Sequence, residues 1–141
     1  LFQMAEKFIG RFVNHTEENL EEYFKEMGMP FIVRKIALNA RVTLDNKIKG
    51  NKWICAQETL LLTVKQEFEL DKEVEETHPD GRKFMTTYTL TSDGKLVSTQ
   101  RKIKESDKTS TATRYFEGDD TMVVVMECGG VKAKRYFKRI K

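Results

Sequence analysis

A mainly β, antiparallel fold that closes on itself is what the sequence predicts, and three observations carry the prediction. Turn signals recur at short intervals: "KGN" at Lys49 to Asn51, "PDG" at Pro79 to Gly81, "SDG" at Ser92 to Gly94, "EGDD" at Glu117 to Asp120 and "GG" at Gly129 to Gly130. The segments between them are strand length and rich in Thr, Val, Ile, Leu and aromatics, so from about Val42 onward the chain reads as consecutive hairpins. The one helical stretch is short and lies near the start, too small to cover so many strands. The sheet must therefore roll into a barrel or fold into a sandwich to bury its inner face.

In chain order, a first strand is followed by a helix pair. Thr16 can cap a short helix whose apolar residues Leu20, Tyr23, Phe24 and Met27 follow helical spacing, and Gly28 can end it. Pro30 suits the first turn of a second helix through Phe31, Ile32, Ile36 and Ala37, with Asn39 as its stop. One face of the later strands mixes apolar with uncharged polar residues: Cys55, Gln57 and Thr59, then Ser98 and Gln100, then Val124 and Met126. A solid sandwich core should be more uniformly apolar, whereas a wide barrel with a partly wet interior tolerates such a face.

The last segment, "VKAKRYFKRIK" from Val131 to Lys141, is dense in Lys and Arg but alternates like a half-buried strand. Val131, Ala133, Arg135 and Phe137 share one side; Lys132, Lys134, Tyr136 and Lys138 share the other. Arg135 is thereby placed on the apolar side, where an unpaired guanidinium is costly.

Composition bounds the function classes. With 141 residues the chain fits one domain with a real core. The residues "LFQ" ahead of Met4 read as the remnant of a cleavable tag, leaving a single domain over residues 4–141. Twenty-five Lys and Arg against 22 Asp and Glu, interspersed until the final strand, do not imply direct nucleic-acid binding. Cys55 and Cys128 are single and far apart, as reduced thiols rather than a disulfide framework or zinc cluster, and no metal or cofactor is expected. His15 and His78 are far apart, and no serine or cysteine has a base beside it in a motif, so no enzyme activity is expected. No stretch approaches the ~20 apolar residues of a membrane helix, and "MAEKFIGRF" lacks the apolar core of a secretory signal. The expected location is cytoplasmic, extending to the nucleus, with secreted or lysosomal routes left open; "NHT" at Asn14 to Thr16 matters as a glycosylation acceptor only on the secretory route.

These residues carry a family likeness. The element order, with "FIGRF" at Phe8 to Phe12, "NLEEYFKEMG" at Asn19 to Gly28, "RKIA" at Arg34 to Ala37, "DGRK" at Asp80 to Lys83, "GKLVSTQ" at Gly94 to Gln100 and "KRYF" at Lys134 to Phe137, resembles the intracellular fatty-acid-binding proteins of the calycin superfamily, in an invertebrate, nematode-like form. The likeness spans essentially all of Met4 to Lys141. It implies a ten-stranded up-and-down β-barrel, or β-clam, with a two-helix lid between the first two strands. The implied protein is a monomeric, non-enzymatic lipid chaperone that holds one long-chain fatty acid or fatty-acid derivative and hands it to membranes or a nuclear receptor.

Many members bind the carboxylate with an Arg-x-Tyr pair on the last strand and an arginine two strands earlier. Carried over, Arg135 matches the first arginine, while Phe137 stands where the tyrosine would and lacks its hydroxyl. The second arginine falls on Tyr115 without a gap, or on Arg114 with one extra residue in the "EGDD" turn, and Arg114 is preferred because a second cation suits an acidic lipid. Gln100 matches a polar cavity residue, and the inward Cys55, Gln57 and Met126 would line the same space. Phe31, Ile32 and Leu61 match portal positions between lid and hairpin tips, with plain lid-to-barrel packing as the other reading. Lys25, Arg34 and Lys35 match basic lid residues that act in some members as a nuclear signal, or form a solvated basic face. The alternative for Arg135 is a structural pair with an inner acid such as Glu76. A lipocalin-like extracellular carrier of a small hydrophobic ligand, suggested by Gly10-Arg11-Phe12, is the runner-up, but it would lack the helix pair after the first strand and usually carry disulfides.

Overall fold

A computed structural model of the chain describes residues 2–141. After a short helix α1 (Phe2–Glu6) come β1 (Gly10–Glu18), helices α2 (Leu20–Glu26) and α3 (Phe31–Asn39), and then nine strands: β2 (Thr43–Lys49), β3 (Lys52–Glu58), β4 (Thr63–Glu69), β5 (Val74–Thr77), β6 (Lys83–Leu90), β7 (Leu96–Lys102), β8 (Ser110–Glu117), β9 (Thr121–Cys128) and β10 (Val131–Ile140). All ten strands form one antiparallel sheet in the order β4-β3-β2-β1-β10-β9-β8-β7-β6-β5. Every ladder but one joins strands that are neighbours in sequence. The exception, β1 with β10, joins the two ends of the chain and rolls the sheet into a barrel.

Among the described residues, β4 and β5 are consecutive strands that share no ladder, so the wall has one open seam. Side chains bridge it. Gln66 Nε2 donates to the Thr77 carbonyl at 3.4 Å, and the Phe68 ring of β4 stacks on Tyr88 of β6 with centroids 3.6 Å apart and planes 13° from parallel.

The expected helix start is corrected. Thr16 does not cap α2; it lies in β1, because pairing with β10 continues through Glu18 opposite Lys134 and tertiary pairing overrides the local cap signal. Asn19 precedes the helix instead, in the left-handed region that Asn tolerates (φ 59°), and its Nδ2 donates to the Lys132 carbonyl at 2.9 Å. The second helix does start after Pro30 and end at Asn39. Helix α1 was not foreseen. It includes Phe2 and Gln3, two of the three residues read as a tag remnant, while Leu1 lies outside the described residues.

The buried side chains divide into a floor and a lid cluster. Ala5, Phe8, Phe12, Trp53, Phe68, Tyr88, Leu96, Met122 and Phe137 form the floor; Leu20, Tyr23, Phe24 and Met27 of the lid pack on Phe84, Cys128 and Ala133. Met126 touches both. Helix α2 is tied down at its C-terminal end by two basic residues. Arg82, at the β5–β6 turn, donates from Nε to Asp80 Oδ2 at 2.8 Å, from Nη1 to the Met27 carbonyl at 2.5 Å, and from Nη1 to Asp107 Oδ1 at 3.4 Å. Lys108 Nζ meets Glu26 Oε2 at 2.7 Å, and a Cβ at Gly129 (φ 54°) would run into that same carboxylate. Helix α3 has no fully buried residue; Ala37 and Leu38 pack partly buried against the lid cluster, and Lys35 meets Glu21 of α2 at 3.4 Å.

Beneath the Arg82 clamp, His78 Nε2 lies 3.2 Å from Gln100 Oε1, and Ser110 Oγ–H donates to the same oxygen at 3.2 Å. Burial is the largest influence on His78 and pushes its pKa below the ordinary value, while Asp80 and the Gln100 bond work against the shift and Arg82 with it. For Asp80, burial alone would raise the carboxyl, but the Arg82 side chain and backbone N–H hold it below the usual range.

Two predictions follow from this clamp. Arg82→Gln leaves two nearly buried carboxylates without their cation and should cost about 3 kcal/mol in urea unfolding of the ligand-free protein; a loss within about 0.5 kcal/mol would contradict the clamp. A folded-state His78 pKa below the unfolded one means that its stabilisation is full above about pH 6.5 and is lost as pH falls through the folded pKa. The melting temperature should thus fall between about pH 7 and pH 5, and the fall should be shallower in His78→Gln.

Candidate functional site

The barrel interior is lined by alternate residues of each strand, and one group of its polar members stands at the junction of β1 and β10. The ladder there slips between Asn14 and Thr16, with His15 as the extra residue of a β-bulge. The slip reverses the alternation. Phe12 and Asn14 face inward, and beyond the bulge Glu17 does so, while Thr16 and Glu18 face solvent. Asn14 fixes the bulge by donating from Nδ2 to the Ala40 carbonyl and accepting from the Val42 N–H, each at 3.0 Å.

Glu17 stands directly opposite Arg135, and Arg135 Nη2 donates to Glu17 Oε1 at 3.0 Å. Their side chains are 13% and 22% exposed, so the pair is largely withdrawn from water. Burial pulls the Arg135 pKa below its ordinary value, with Glu17 acting in the opposite direction. The guanidinium lies 5.4 Å from the Phe137 ring centroid, and its Nε is buried without a protein partner. The inner acid beside Arg135 is therefore Glu17 rather than Glu76. Glu76 instead accepts from the Tyr88 hydroxyl at 2.8 Å.

Arg135 shares a cross-strand row with Val124 of β9 and Arg114 of β8, so both arginines point into the barrel. Arg114 lies over the Tyr88 ring at 5.9 Å and lines a small interior pocket with Phe8, Asn46, Trp53, Cys55, Phe68 and Leu96. Among the described residues it has no carboxylate within ion-pair distance. Burial pushes the Tyr88 phenol far up, so it remains a donor, and that proton is committed to Glu76. Below Arg114 a column of rings runs through Tyr88, Phe68 and Trp53 to Phe8 and Phe116. The site combines one unpaired cation with an apolar, aromatic wall.

Tyr115 is corrected. It was one of two candidates for the inward position, but it faces out, with its ring 5.5 Å from Lys95 Nζ and its row shared with Val123 and Tyr136. The reason is the turn: β8 and β9 pair through Glu117 opposite Thr121, and the three-residue turn between them puts Arg114, Ala112 and Phe116 on the inner face.

Cys55 and Gln57 lie on the inward row of β3, opposite Asn46 and Leu44, and Met126 lies on that of β9. Burial pushes the Cys55 thiol up, yet the residue keeps accessible surface, as a wall residue facing an enclosed space does. Gln100 is inward but engaged by His78 and Ser110, and Phe137 is a buried floor residue. Phe31, Ile32 and Leu61 are 61%, 71% and 77% exposed, so they are not lid-to-barrel packing. Ile36, Leu60 and Leu62 join them in an exposed apolar group on α3 and the β3–β4 turn. The basic lid residues are less free than their sequence suggests. Lys25 meets Glu22 and Lys35 meets Glu21, each at 3.4 Å, and Arg34 donates to the Met29 carbonyl at 2.8 Å.

Sequence reasoning missed Glu17 and Tyr88. Glu17 was hidden by the bulge, and the only hint was its place in a run of acidic residues opposite the basic end of the chain.

The comparisons with known proteins agree with this architecture. Residues 10–140 match the Lipocalin / cytosolic fatty-acid binding protein family. Two Caenorhabditis elegans proteins, fatty acid-binding protein homolog 5 and homolog 6, are 42% and 38% identical to this chain, with 96% of this chain and 98% and 99% of theirs covered. The crystal structure of apo lipid binding protein 8 of Caenorhabditis elegans superposes with a TM-score of 0.90 at 32% identity, covering 96% of each chain. The family match over residues 10–140, with relatives 42% and 38% identical over 96% of the chain, places this chain in the lipocalin and cytosolic fatty-acid-binding protein family.

Proposed function

We propose that the chain is a monomeric carrier, not an enzyme, that holds one long-chain fatty acid or related acyl lipid inside the barrel with the carboxylate on Arg114. The carrying observation is Arg114 itself: an inward cation without an ion-pair partner above an aromatic floor. Family membership supports the reading, as do the names of the relatives, which are fatty acid-binding proteins. The energetics are adequate. At ~0.8 kcal/mol per methylene, about fifteen buried carbons contribute roughly 10 kcal/mol before ordering costs, enough for micromolar to nanomolar binding. A charge-assisted head-group bond adds about 1.5 to 3 kcal/mol.

Delivery is read from the lid. The exposed apolar residues of α3 and the β3–β4 turn, with Lys35 beside them, suit transient insertion into an anionic membrane. Helix α2 stays clamped, while α3, whose residues are at most partly buried, is the lid element that parts from the barrel mouth. Delivery to a nuclear receptor rests on the resemblance of Lys25, Arg34 and Lys35, with less support because Arg34 is engaged by the Met29 carbonyl.

Displacement of an environment-sensitive fluorescent acid from delipidated protein should show one-to-one binding of acids of about sixteen to twenty carbons. No displacement by any of them would contradict the carrier reading. Arg114→Gln should weaken oleic acid roughly tenfold and leave its methyl ester nearly unchanged. Phe31→Ser with Leu61→Ser should slow transfer to anionic vesicles several-fold without weakening binding; an unchanged rate would remove the lid from the delivery step.

A further inference from the structure

Whether both inward arginines serve the ligand is decided by what already occupies them. Arg135 and Arg114 stand on one cross-strand row either side of Val124, two strand spacings or about 10 Å apart at the backbone. Their electrostatic situations differ. Among the described residues Arg114 has no ion-pair partner, whereas Arg135 meets the Glu17 carboxylate at 3.0 Å in a largely dry setting. A ligand carboxylate brought to Arg135 would feel the attraction of the guanidinium and the repulsion of Glu17 over nearly the same distance, and at low effective dielectric the two nearly cancel. It would gain no hydroxyl there either, because the neighbouring inward residue is Phe137.

We propose that Glu17 is the residue that sets head-group specificity: its carboxylate takes the place of a ligand carboxylate on Arg135 and directs the acid head group to Arg114. This rests on the fatty-acid reading above and goes beyond it, because it assigns the choice of anchor to a residue on β1. The β-bulge at His15 is the device that aims Glu17 inward; without it, strand alternation would place Thr16 or Glu18 on the inner face. The repulsive element excludes the acid from Arg135 in the way that an unfavourable contact excludes a wrong partner. It leaves the unpartnered Arg135 Nε–H as a donor that a neutral oxygen can still use.

The test combines Glu17→Gln, Arg135→Gln and the double variant, titrated with oleic acid and with its methyl ester, beside a melting curve of each ligand-free protein. Arg135→Gln alone strands the Glu17 carboxylate, so the head-group role of Arg135 is read from the double variant, which removes both charges and should bind oleic acid within about threefold of the parent. Glu17→Gln frees the Arg135 cation and should tighten oleic acid by about fivefold to tenfold, with the methyl ester within about twofold. Adding Arg135→Gln to Glu17→Gln should abolish the gain. Should Glu17→Gln fail to fold, Glu17→Asp, which draws the carboxylate back by one methylene, should show a gain of the same sign and smaller size. Oleic acid binding with no gain in any Glu17 variant, or a loss of tenfold or more in the double variant, would overturn the proposal while leaving the carrier reading intact. Absence of acyl binding by the parent protein and Glu17→Gln alike would overturn both.

Discussion

The pairing of β1 with β10 is the constraint on which the rest of the structure depends. Every other ladder joins neighbours in sequence and could form in an open, curling sheet, but such a sheet has an apolar face and no second layer to cover it. Joining the two ends encloses that face. The junction also has to be made with the lid inserted between β1 and β2, which is why Asn14 accepts the Val42 N–H and donates to the Ala40 carbonyl, and why Asn19 reaches the Lys132 carbonyl. The bulge lies in the middle of these contacts. It resolves a geometric demand of closure and, in the same step, turns a carboxylate into the barrel.

What closure leaves inside is neither a solid core nor an open channel. The floor is packed with rings from Phe8 to Tyr88 and sealed below by Arg139, whose guanidinium lies 4.7 Å from the Phe12 centroid and donates to the Ile9 carbonyl. Above it stands a belt of polar and charged side chains, held by partners of unequal completeness. Glu76 is satisfied by Tyr88, Gln100 by His78 and Ser110, and Arg135 in part by Glu17, which leaves Arg114 uncompensated. A buried network that is nearly but not wholly satisfied has a defined place for one more charged partner. The lid shows the same division of labour. One helix is clamped by Arg82 and Lys108, and the other has no fully buried residue.

Much of this was legible in the sequence, and the parts that were not have physical reasons. The turn dipeptides fixed the hairpins, because Gly in left-handed conformations is a local requirement that needs no tertiary information. The inward Arg135 followed from period-two alternation in β10, which carries no bulge. The same rule does not carry through β1, where the slip at His15 moves Glu17 to the inner face and keeps Thr16 in the strand although its chemistry suits a cap. Alternation also could not choose between Arg114 and Tyr115, because the choice depends on the count of residues in a turn rather than on any pattern in the strand. The partner of Arg135 was out of reach for a related reason. Glu17 is 118 residues away in sequence, and only the closed barrel brings the two together.

The most direct test of the account is a crystal structure of the protein with one bound oleic acid. The account places the ligand carboxylate within hydrogen-bonding distance of the Arg114 guanidinium, with the Glu17–Arg135 ion pair intact and the acyl chain lying on the aromatic floor. A carboxylate seated on Arg135, with Glu17 displaced from it, would contradict that account.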